Sequence, residues 1–433
     1  MEMTRRKLAG AAMAATLGAF GLLAGCRTAA TAGVYDVRDY GARGDGVTKD
    51  TAAIQAAIDA AEASGGGTVE IPAGKYLTGS IYLKDNIDFH VGAGAELVAS
   101  TDRADYNAHD VCPQNWYSKN ENTTGGHLLL AIEKKNVMVR GPGTINGRSD
   151  FFLVDPKTGR NWPNRNAGIP WRPAQMLYFV ECERVRVADL RLVGAPYWSC
   201  FLHGCDHVQM RGLDIHTMRE PRTLNGDGID IDCCRYVTVS DCLIDTDDDS
   251  ITLRASGKRL WKHPQECAYV TVANCVLSSV CDAIRVGVGD GRIHDAVFSN
   301  IAVHDTKCAV NIVPGYSRGH GTDITDVRFE NLQVDCSDFC RIHHMYSKEA
   351  EMARIRFRGV SGRTKTRSWI WANAAKPFGL VEFSGVDIEG PGVEVVNAPN
   401  VVFRDSTFAP VAMSEAEKKS RSDKIDAGVE VLW

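Results

Sequence analysis

The sequence lacks the features that mark nucleic-acid-binding and zinc proteins. Its 433 residues include 49 Lys and Arg against 54 Asp and Glu, so the net charge is -5 and there is no basic footprint for nucleic acid. No Cys-x-x-Cys pair occurs among the 14 cysteines, which leaves a zinc or redox site without support. We therefore expect no nucleic-acid partner, no metal and no other cofactor.

The apolar run near the N-terminus is too short, and too rich in Ala and Gly, for a stable membrane-spanning helix. It follows the basic residues 5–7, the pattern of an export signal. It ends in Leu-Ala-Gly-Cys at residues 23–26, which resembles the bacterial lipobox. We predict an export signal over residues 1–26, a linker over 27–33, and lipidation of Cys26 as the only membrane attachment, at the cell envelope. An ordinary cleaved signal is the alternative, and the Sec or Tat route stays open.

The other 13 cysteines are an odd number, so at least one is unpaired within the chain. Export permits disulfides. However, Cys242 and Cys275 stand at apolar strand positions, where cysteine more often acts as a small buried hydrophobic residue.

A short phrase recurs along the rest of the chain: apolar, any, apolar, any, then Asn, Asp or Gly. Its copies begin at Val185, Val208, Val237, Val270, Ala296, Val327, Ile355, Val381 and Val401. The alternation predicts strands, and no helical period lies between the copies. Strands stacked about 4.8 Å apart would build one continuous core, so a solenoid is favoured over an antiparallel sandwich. The closing Asn, Asp or Gly suits a bend.

Both ends of the solenoid show helical patterns. Asp50 and the following residues 51–63 predict an N-capped amphipathic helix that covers one open end. Residues 414–424 predict a second helix at the other end. No Pro- or Ser-rich linker follows residue 31, so we predict one domain over residues 34–433.

Aspartates are concentrated between Asn225 and Ser250, at positions 227, 230, 232, 241, 245, 247, 248 and 249. Asp227 and Asp248 are separated by about one coil, which predicts that they face one groove from neighbouring coils. Clustered carboxylates repel, so one can hold a proton while another stays ionised, as glycoside hydrolysis requires. A structural Ca²⁺ site or a solvated acidic turn ladder is the alternative.

Four motifs follow one another: Trp-Arg-Pro at 171–173, Gly-Ala-Pro-Tyr-Trp at 194–198, Asn-Gly-Asp-Gly at 225–228, and the pair Asp248-Asp249. Their order, and an opening over residues 35–84, resemble glycoside hydrolase family 28, the polygalacturonase-like enzymes. The resemblance implies an all-β, right-handed parallel β-helix of the pectate-lyase type. It implies that Asp248 is the general acid, that Asp227 and Asp249 activate water, and that the reaction inverts configuration.

Two motifs of that family differ here. Its Gly-His-Gly is replaced in register by residues 281–283, Cys-Asp-Ala, and a literal Gly-His-Gly at 319–321 falls in a later loop. Its Arg-Ile-Lys, which binds the substrate carboxylate, is replaced by residues 311–313, Asn-Ile-Val. We therefore assign substrate binding to Asn225, Asp282, Arg254 and Arg285, the last two as substitute cations.

Aromatic side chains suit the apolar faces of sugar rings, and we predict that Trp171 and Trp198 bind substrate, with a core position as the alternative for Trp198. Long loops at residues 103–125 and 155–172 carry further aromatics and could close one end of the groove, favouring attack at a chain end. The predicted function is hydrolysis of a pectic or other acidic poly- or oligosaccharide by a monomer. A lyase on this fold, an exo-glycosidase for a neutral sugar, and a non-catalytic carbohydrate-binding β-helix are the alternatives.

Overall fold

The computed structural model describes residues 33–155, 157–158, 160–161, 170–217, 225–315, 320–345, 347 and 349–427. The predicted export signal, with Cys26, lies outside these residues, as do residues 162–169 of the predicted loop at 155–172 and Gly319 of the literal Gly-His-Gly. Among the described residues, no helix is long and apolar enough to cross a membrane.

The strands form three stacks of parallel strands, and each coil of the chain adds one strand to each stack. The stack that carries the acidic stretch, called the site stack, contains Ile81–Tyr82, Leu129–Ile132, Leu177–Val180, Cys200–His203, Ile229–Asp232, Ile251–Ala255, Asp282–Gly289, residues 308–313 and 338–343 of two longer strands, Ser368–Trp371 and Val393–Val396.

The other two stacks complete each coil. The second contains Gly33–Asp36, Gly67–Ile71, Ile87–Val91, Lys135–Arg140, Glu183–Ala188, Asp206–Arg211, Arg235–Ser240, Glu266–Ala273, Arg292–Val313, Asp323–His343, Met352–Ala353, Ile355–Thr364, Val381–Glu389 and Val401–Arg404. The third contains Asp45–Lys49, Gly74–Thr78, Ala95–Ala99, Thr144–Asn146, Arg191–Val193, Asp214–His216, Leu243–Thr246 and Val276–Ser279, and it continues through residues 302–304, 333–336, 360–364 and 386–389 of the longer strands. This confirms the predicted parallel β-helix.

The recurring phrase lies in the second stack and bends at its closing residue. Every closing residue has a positive φ, between 46° and 62°: Asp189, Gly212, Asp241, Asn274, Asn300, Asn331, Gly359, Gly385 and Asp405. Asn, Asp and Gly tolerate this left-handed conformation better than other residues do. The bend therefore explains why the phrase ends in these residue types.

Inward side chains stack from coil to coil to form the core. Phe298, Phe329, Phe357, Phe383 and Phe403 form one such ladder, with neighbouring ring centroids 4.7 to 5.1 Å apart. This spacing follows the distance between neighbouring strands. All 13 cysteines among the described residues are buried and free, so Cys242 and Cys275 act as the small hydrophobic residues that were predicted.

Helices lie near both ends of the described chain. Thr51–Ala63 begins after Asp50, as predicted, but the Asp50 carboxylate accepts hydrogen bonds from the backbone of Arg43 and Gly44 instead of capping the helix. Glu415–Ala427 is the second predicted helix. The remaining helical turns are Val37–Tyr40, Arg103–Asp105, Lys119–Glu121, Ser149–Phe152 and Gly257–Arg259, and Val154–Asp155 pairs with Arg160–Asn161 as a small antiparallel ribbon.

Candidate active site

Three aspartates occupy corresponding positions on successive coils of the site stack. The amide of Gly228 donates to the carbonyl of Asp249 (2.9 Å), and the amide of Ser250 donates to that of Asp282 (3.0 Å). Asp227, Asp249 and Asp282 therefore follow one another along the stack. The sequence spacing predicted Asp248 beside Asp227, but the register of Ile229–Asp232 with Ile251–Ala255 puts Asp249 there, one residue later.

The carboxylates of this cluster are buried. Each of the following is less than a tenth exposed: Asp227, Asp230, Asp248, Asp249 and Asp282. Ile229 and Ile231 belong to the apolar core, so the alternation of the strand directs Asp230 to the opposite, outer side. Asp230 was not among the predicted site residues, because its place on the outer side of the coil depends on which residues of the strand face the core.

Burial and mutual repulsion change the protonation of the cluster. Burial raises the pKa of Asp227 well above its usual value, and the charges of Asp230, Asp248 and Asp249 raise it further. Burial likewise raises the pKa of Asp249 well above its usual value, while the Arg285 charge opposes this. Burial raises the pKa of Asp230 to about 7, against the opposing charge of Arg254. The cluster therefore keeps protons up to neutral pH.

Arg285 lies among these carboxylates, as predicted. Its Nε is 2.7 Å from Oδ2 of Asp249, and its Nη2 donates to Oδ2 of Asp282 at 2.7 Å. Asn311, which pairs with Arg285 in the next coil, donates from its side chain to the same oxygen of Asp282 (2.7 Å). Asn311 therefore stands in a network with Asp282 and Arg285, at a position where the family would place a cation.

The guanidinium of Arg254 reaches from the coil of Asp249 towards the preceding coils, where it lies between a carboxylate and two indole rings. Its Nη1 is 3.6 Å from Oδ1 of Asp230. Its guanidinium carbon lies 4.6 Å from the ring centre of Trp198 and 5.5 Å from that of Trp116. Trp116 comes from the long loop at 103–125, and this contact was not predicted. The loop therefore touches the site, and Arg254 is held by cation–π contacts as well as charge.

Asn225, at the start of the acidic coil, has a φ of 62° and is held by a buried arginine. Arg172, which is fully buried, donates from Nη2 to Oδ1 of Asn225 (3.0 Å) and from Nη1 to the carbonyl of Pro196 (3.0 Å). The Asn225 side chain also donates to Glu121 (3.4 Å). The Trp-Arg-Pro motif thus contributes through its arginine, which positions the residues that precede Asp227.

Trp171 lies apart from this network. Its ring packs edge-on against Phe152 (5.0 Å between centroids) and Tyr106 (6.0 Å), in a small apolar cluster of its own. Trp198, by contrast, is buried against Tyr197 at 4.8 Å and under Arg254. The structure therefore brings Trp198, but not Trp171, into contact with the other predicted site residues that it describes.

Two further aspartates accept hydrogen bonds from backbone amides beside the site. Asp247 accepts a hydrogen bond from the amide of Gly226 (2.9 Å), which fixes the turn before Asp227. Asp232 accepts one from the amide of Ser256 (2.6 Å) and lies 3.5 Å from the Nδ1 of buried His203. Neither His203 nor Asp232 was among the predicted site residues.

One group of side chains has the spacing of a metal site. Potential ligand atoms of Asp248, Asp249 and Cys281 lie within 4.8 Å of one another. Burial raises the pKa of the Cys281 thiol well above its usual value, which keeps it neutral, and the negative charges of Asp282, Asp248 and Asp249 add to this. A neutral thiol is a weak ligand, and Ca²⁺ prefers six to eight oxygens. Among the described residues, this group therefore fits Ca²⁺ poorly.

The chain is similar to known proteins in sequence. A family model described as rhamnogalacturonase A/epimerase, pectate lyase-like, matches residues 34–180. A probable polygalacturonase of Vitis vinifera is 25% identical over 225 residues, 50% of this chain and 43% of that protein. An exo-poly-alpha-D-galacturonosidase of Dickeya chrysanthemi is 36% identical over 139 residues, 30% of this chain and 22% of that enzyme. The matched regions span less than half the length of these relatives.

The fold is similar to that of solved structures. A hyperthermoactive exopolygalacturonase from Thermotoga maritima superimposes with a TM-score of 0.67 over 86% of this chain and 91% of that one, at 20% identity. Together with the stacked parallel coils, these likenesses show a right-handed parallel β-helix similar to that of polygalacturonases.

Proposed function

We propose that this protein hydrolyses glycosidic bonds in a pectic or other acidic polysaccharide, as an exported monomer that needs no cofactor. The observation that carries the proposal is the buried cluster of Asp227, Asp230, Asp248 and Asp249 on adjacent coils, with raised pKa values at three of these four residues. Buried carboxylates without enough cations to neutralise them are costly to a fold, so such a cluster points to chemistry.

The reaction follows from how such a cluster shares protons. A carboxylic acid donates a proton to the leaving oxygen, and ionised carboxylates hold and deprotonate the attacking water. We assign the acid to Asp248, and the water to Asp227 and Asp249, as the resemblance to glycoside hydrolase family 28 implies. This assignment requires Asp227 and Asp249 to release their protons before water is activated. Arg285, 2.7 Å from Asp249, favours ionisation of that carboxylate, as the water-activating role requires. Attack by water from the side opposite the leaving group inverts the configuration.

The cations of the site support an acidic substrate. The side chains of Arg254 and Arg285 are 11% and 10% exposed, and both face the carboxylate cluster. A uronate would bring one more carboxylate to a site that already has an excess of them. Among the described residues of the cluster, these two arginines are the charged donors that can pair with the carboxylate of the substrate.

The loop at 103–125 supports attack at a chain end. Trp116 lies over Arg254, and Arg259 stacks on Trp116 (5.2 Å) while its guanidinium donates to the carbonyl of Asn115. The loop is thus fastened across the N-terminal side of the cluster. We expect a polysaccharide to extend past the site along the later coils, away from this loop.

A lyase or epimerase is the second candidate, because the matching family model includes epimerases and because Asp248, Asp249 and Cys281 are grouped. Such an enzyme removes a proton from carbon with a basic residue. Arg285 forms ion pairs with Asp249 and Asp282. Burial lowers the pKa of its guanidinium, but the surrounding carboxylates raise it more, so this pKa lies well above the usual value. It therefore stays protonated and is a poor base.

The test is incubation with defined oligosaccharides from pectin, other plant polymers and mucin, with and without a chelator. The proposal expects shortened saturated products from an acidic substrate, at an unchanged rate in chelator. Products with an unsaturated end that absorb in the near ultraviolet, or a rate abolished by chelator, would establish the lyase instead. Cleavage of neutral oligosaccharides only would refute the acidic substrate class.

A further inference from the structure

A second groove lies on the site stack, several coils beyond the aspartate cluster. It has a volume of about 320 Å³ and is bordered by the last coils and the helix Glu415–Ala427. Its residues include Arg341, Trp369 and Trp371. Thr252, Arg285, Asn311, Arg341 and Trp369 occupy corresponding positions on successive strands. At about 4.8 Å per strand, Trp369 is roughly 19 Å along the stack from Thr252.

Two indole rings form the floor of this groove. The ring centroids of Trp369 and Trp371 are 4.5 Å apart, and His343 stacks on one face of Trp369 at 5.1 Å. The Trp369 side chain is only partly buried, so the rest of its ring is accessible. Trp371 is 5% exposed, and its indole Nε1 has no hydrogen-bond partner among the described residues. This N–H is itself buried from the groove, so the floor offers the partly exposed ring of Trp369 as its accessible aromatic surface.

The walls of the groove carry an excess of positive charge. Its cations are Lys307, Arg341, Arg367, Arg421 and Lys424, against the carboxylates of Asp338 and Glu394. Asp338 pairs with Arg341 (2.7 Å), and Glu394 with Arg421 (3.0 Å) and Arg367 (3.5 Å). Lys307 and Lys424 have no carboxylate within salt-bridge distance among the described residues. After its own carboxylates are paired, the groove keeps an excess of positive charge, which favours binding of an anion.

The arginines are fixed against the rings. Arg341 lies 5.4 Å from the centre of Trp369, and Arg421, on the last helix, lies 5.4 Å from the centre of Trp371. Ile425 of the same helix packs with Trp371 and Val396 in an apolar cluster. The helix thus holds one wall in place, and the groove is formed before any ligand arrives.

We infer that this groove is a second saccharide-binding site, which takes an acidic sugar segment of the polysaccharide whose end is cleaved at the aspartate cluster. The apolar face of a sugar ring stacks on Trp369, and its carboxylate pairs with Lys307 and Arg367. The inference rests on the proposed function only for the identity of the polymer. Charge and aromatic surface in one groove select an acidic carbohydrate over a neutral one.

The test is electrophoresis of the folded protein in native gels that contain polygalacturonate, alginate or a neutral galactan. A double variant, Lys307→Glu with Arg367→Glu, and a separate Trp369→Ala variant are compared with Arg358→Glu, an exposed control that does not line the groove. We expect an acidic polymer to retard the wild type and the control. Both groove variants should bind about fivefold more weakly, equivalent to about 1 kcal/mol. Melting temperatures verify that each variant is folded.

Equal retardation of all variants, or no retardation of the wild type by either acidic polymer, would overturn the second site. Retardation by the neutral galactan to the same extent would overturn its acidic class. Cleavage of a short oligosaccharide, which cannot reach the groove from the aspartate cluster, is followed in the same samples. That rate tests the proposed hydrolysis separately, and we expect it to be unchanged in both groove variants.

Discussion

Arg285 holds Asp249 from the next coil of the β-helix, with its Nε 2.7 Å from Oδ2 of the carboxylate. The same guanidinium reaches Asp282 at 2.7 Å, so one arginine serves two buried acids. The chain has Asn311 on the following strand, where polygalacturonase-like enzymes would supply a cation. Arg285 therefore supplies a positive charge to the cluster from one coil earlier.

We predict that Arg285→Gln destabilises the protein by about 3–5 kcal/mol, because it leaves two buried carboxylates without their cation. It also removes the charge that favours ionised Asp249, so the rising limb of the pH–rate profile should move to higher pH. Thermal melts and pH–rate profiles measure the two effects. The matched control, Arg292→Gln, removes an exposed arginine paired with Glu266 and should cost less than about 1 kcal/mol. Equal effects of the two changes would contradict the role of Arg285.

The raised pKa of Asp230 predicts a pH-dependent stability. The unfolded chain releases this proton near the ordinary value of 3.8, whereas the folded protein keeps it to about 7. The stabilisation is therefore complete below 3.8 and is lost as pH rises through about 7. Asp230→Asn should melt at more similar temperatures at pH 5 and pH 8 than the wild type does. The exposed Asp150→Asn control should behave as the wild type. An undiminished difference in Asp230→Asn would argue against the shift.

Loop closure at the N-terminal side of the site predicts a change in products. Trp116→Ala removes the ring that covers Arg254, which should open that side and release longer oligosaccharides from a polymer at early times. Chromatography of the early products measures this. Trp261→Ala, which removes a ring that is 63% exposed, should leave the product sizes as they are in the wild type. Identical short products from all three proteins would contradict the blocked end.

Membrane attachment through lipid alone predicts that Cys26→Ser gives a soluble, folded protein that leaves the membrane fraction. In the predicted processing the apolar run is removed with the signal, so the lipid is the attachment that the variant lacks. Cell fractionation and immunoblotting measure the distribution. A variant that stays in the membrane fraction would indicate an uncleaved helix.

Much of the fold could be predicted from the sequence, because each coil repeats the same local requirements. The phrase beginning at Val237 alternates as a strand must and ends in Asp241, whose φ of 58° makes the bend. The register between coils was less predictable. Spacing alone favoured Asp248 beside Asp227, whereas the backbone hydrogen bonds put Asp249 there, since the exact length of a coil depends on its bends.

The sequence indicated the acidic pair but not the surroundings that tune it. Asp230 was within the acidic stretch, yet its burial beside Arg254 depends on the strand's phase. Trp116 contacts Arg254 although the two are more than a hundred positions apart in the sequence, and Trp116 lies in a loop with no repeating pattern. Contacts of this kind require the three-dimensional structure, as the separate position of Trp171 also shows.

The most direct measurement of the catalytic account compares Asp227→Asn, Asp248→Asn and Asp249→Asn on two substrates, a natural oligosaccharide and an activated aryl glycoside. Asp248→Asn should lose about 10²–10⁴-fold in rate on the natural bond and much less on the aryl glycoside, whose leaving group needs no proton. The other two variants should fail on both substrates, because both reactions need the water. All three should stay folded. Asp227→Asn and Asp248→Asn should melt no earlier than the wild type, since each removes an acid from a repelling cluster, whereas Asp249→Asn also breaks the ion pair with Arg285. Variants that are unfolded, together with a wild type whose melting temperature falls strongly in chelator, would contradict the catalytic assignment and establish a structural metal site.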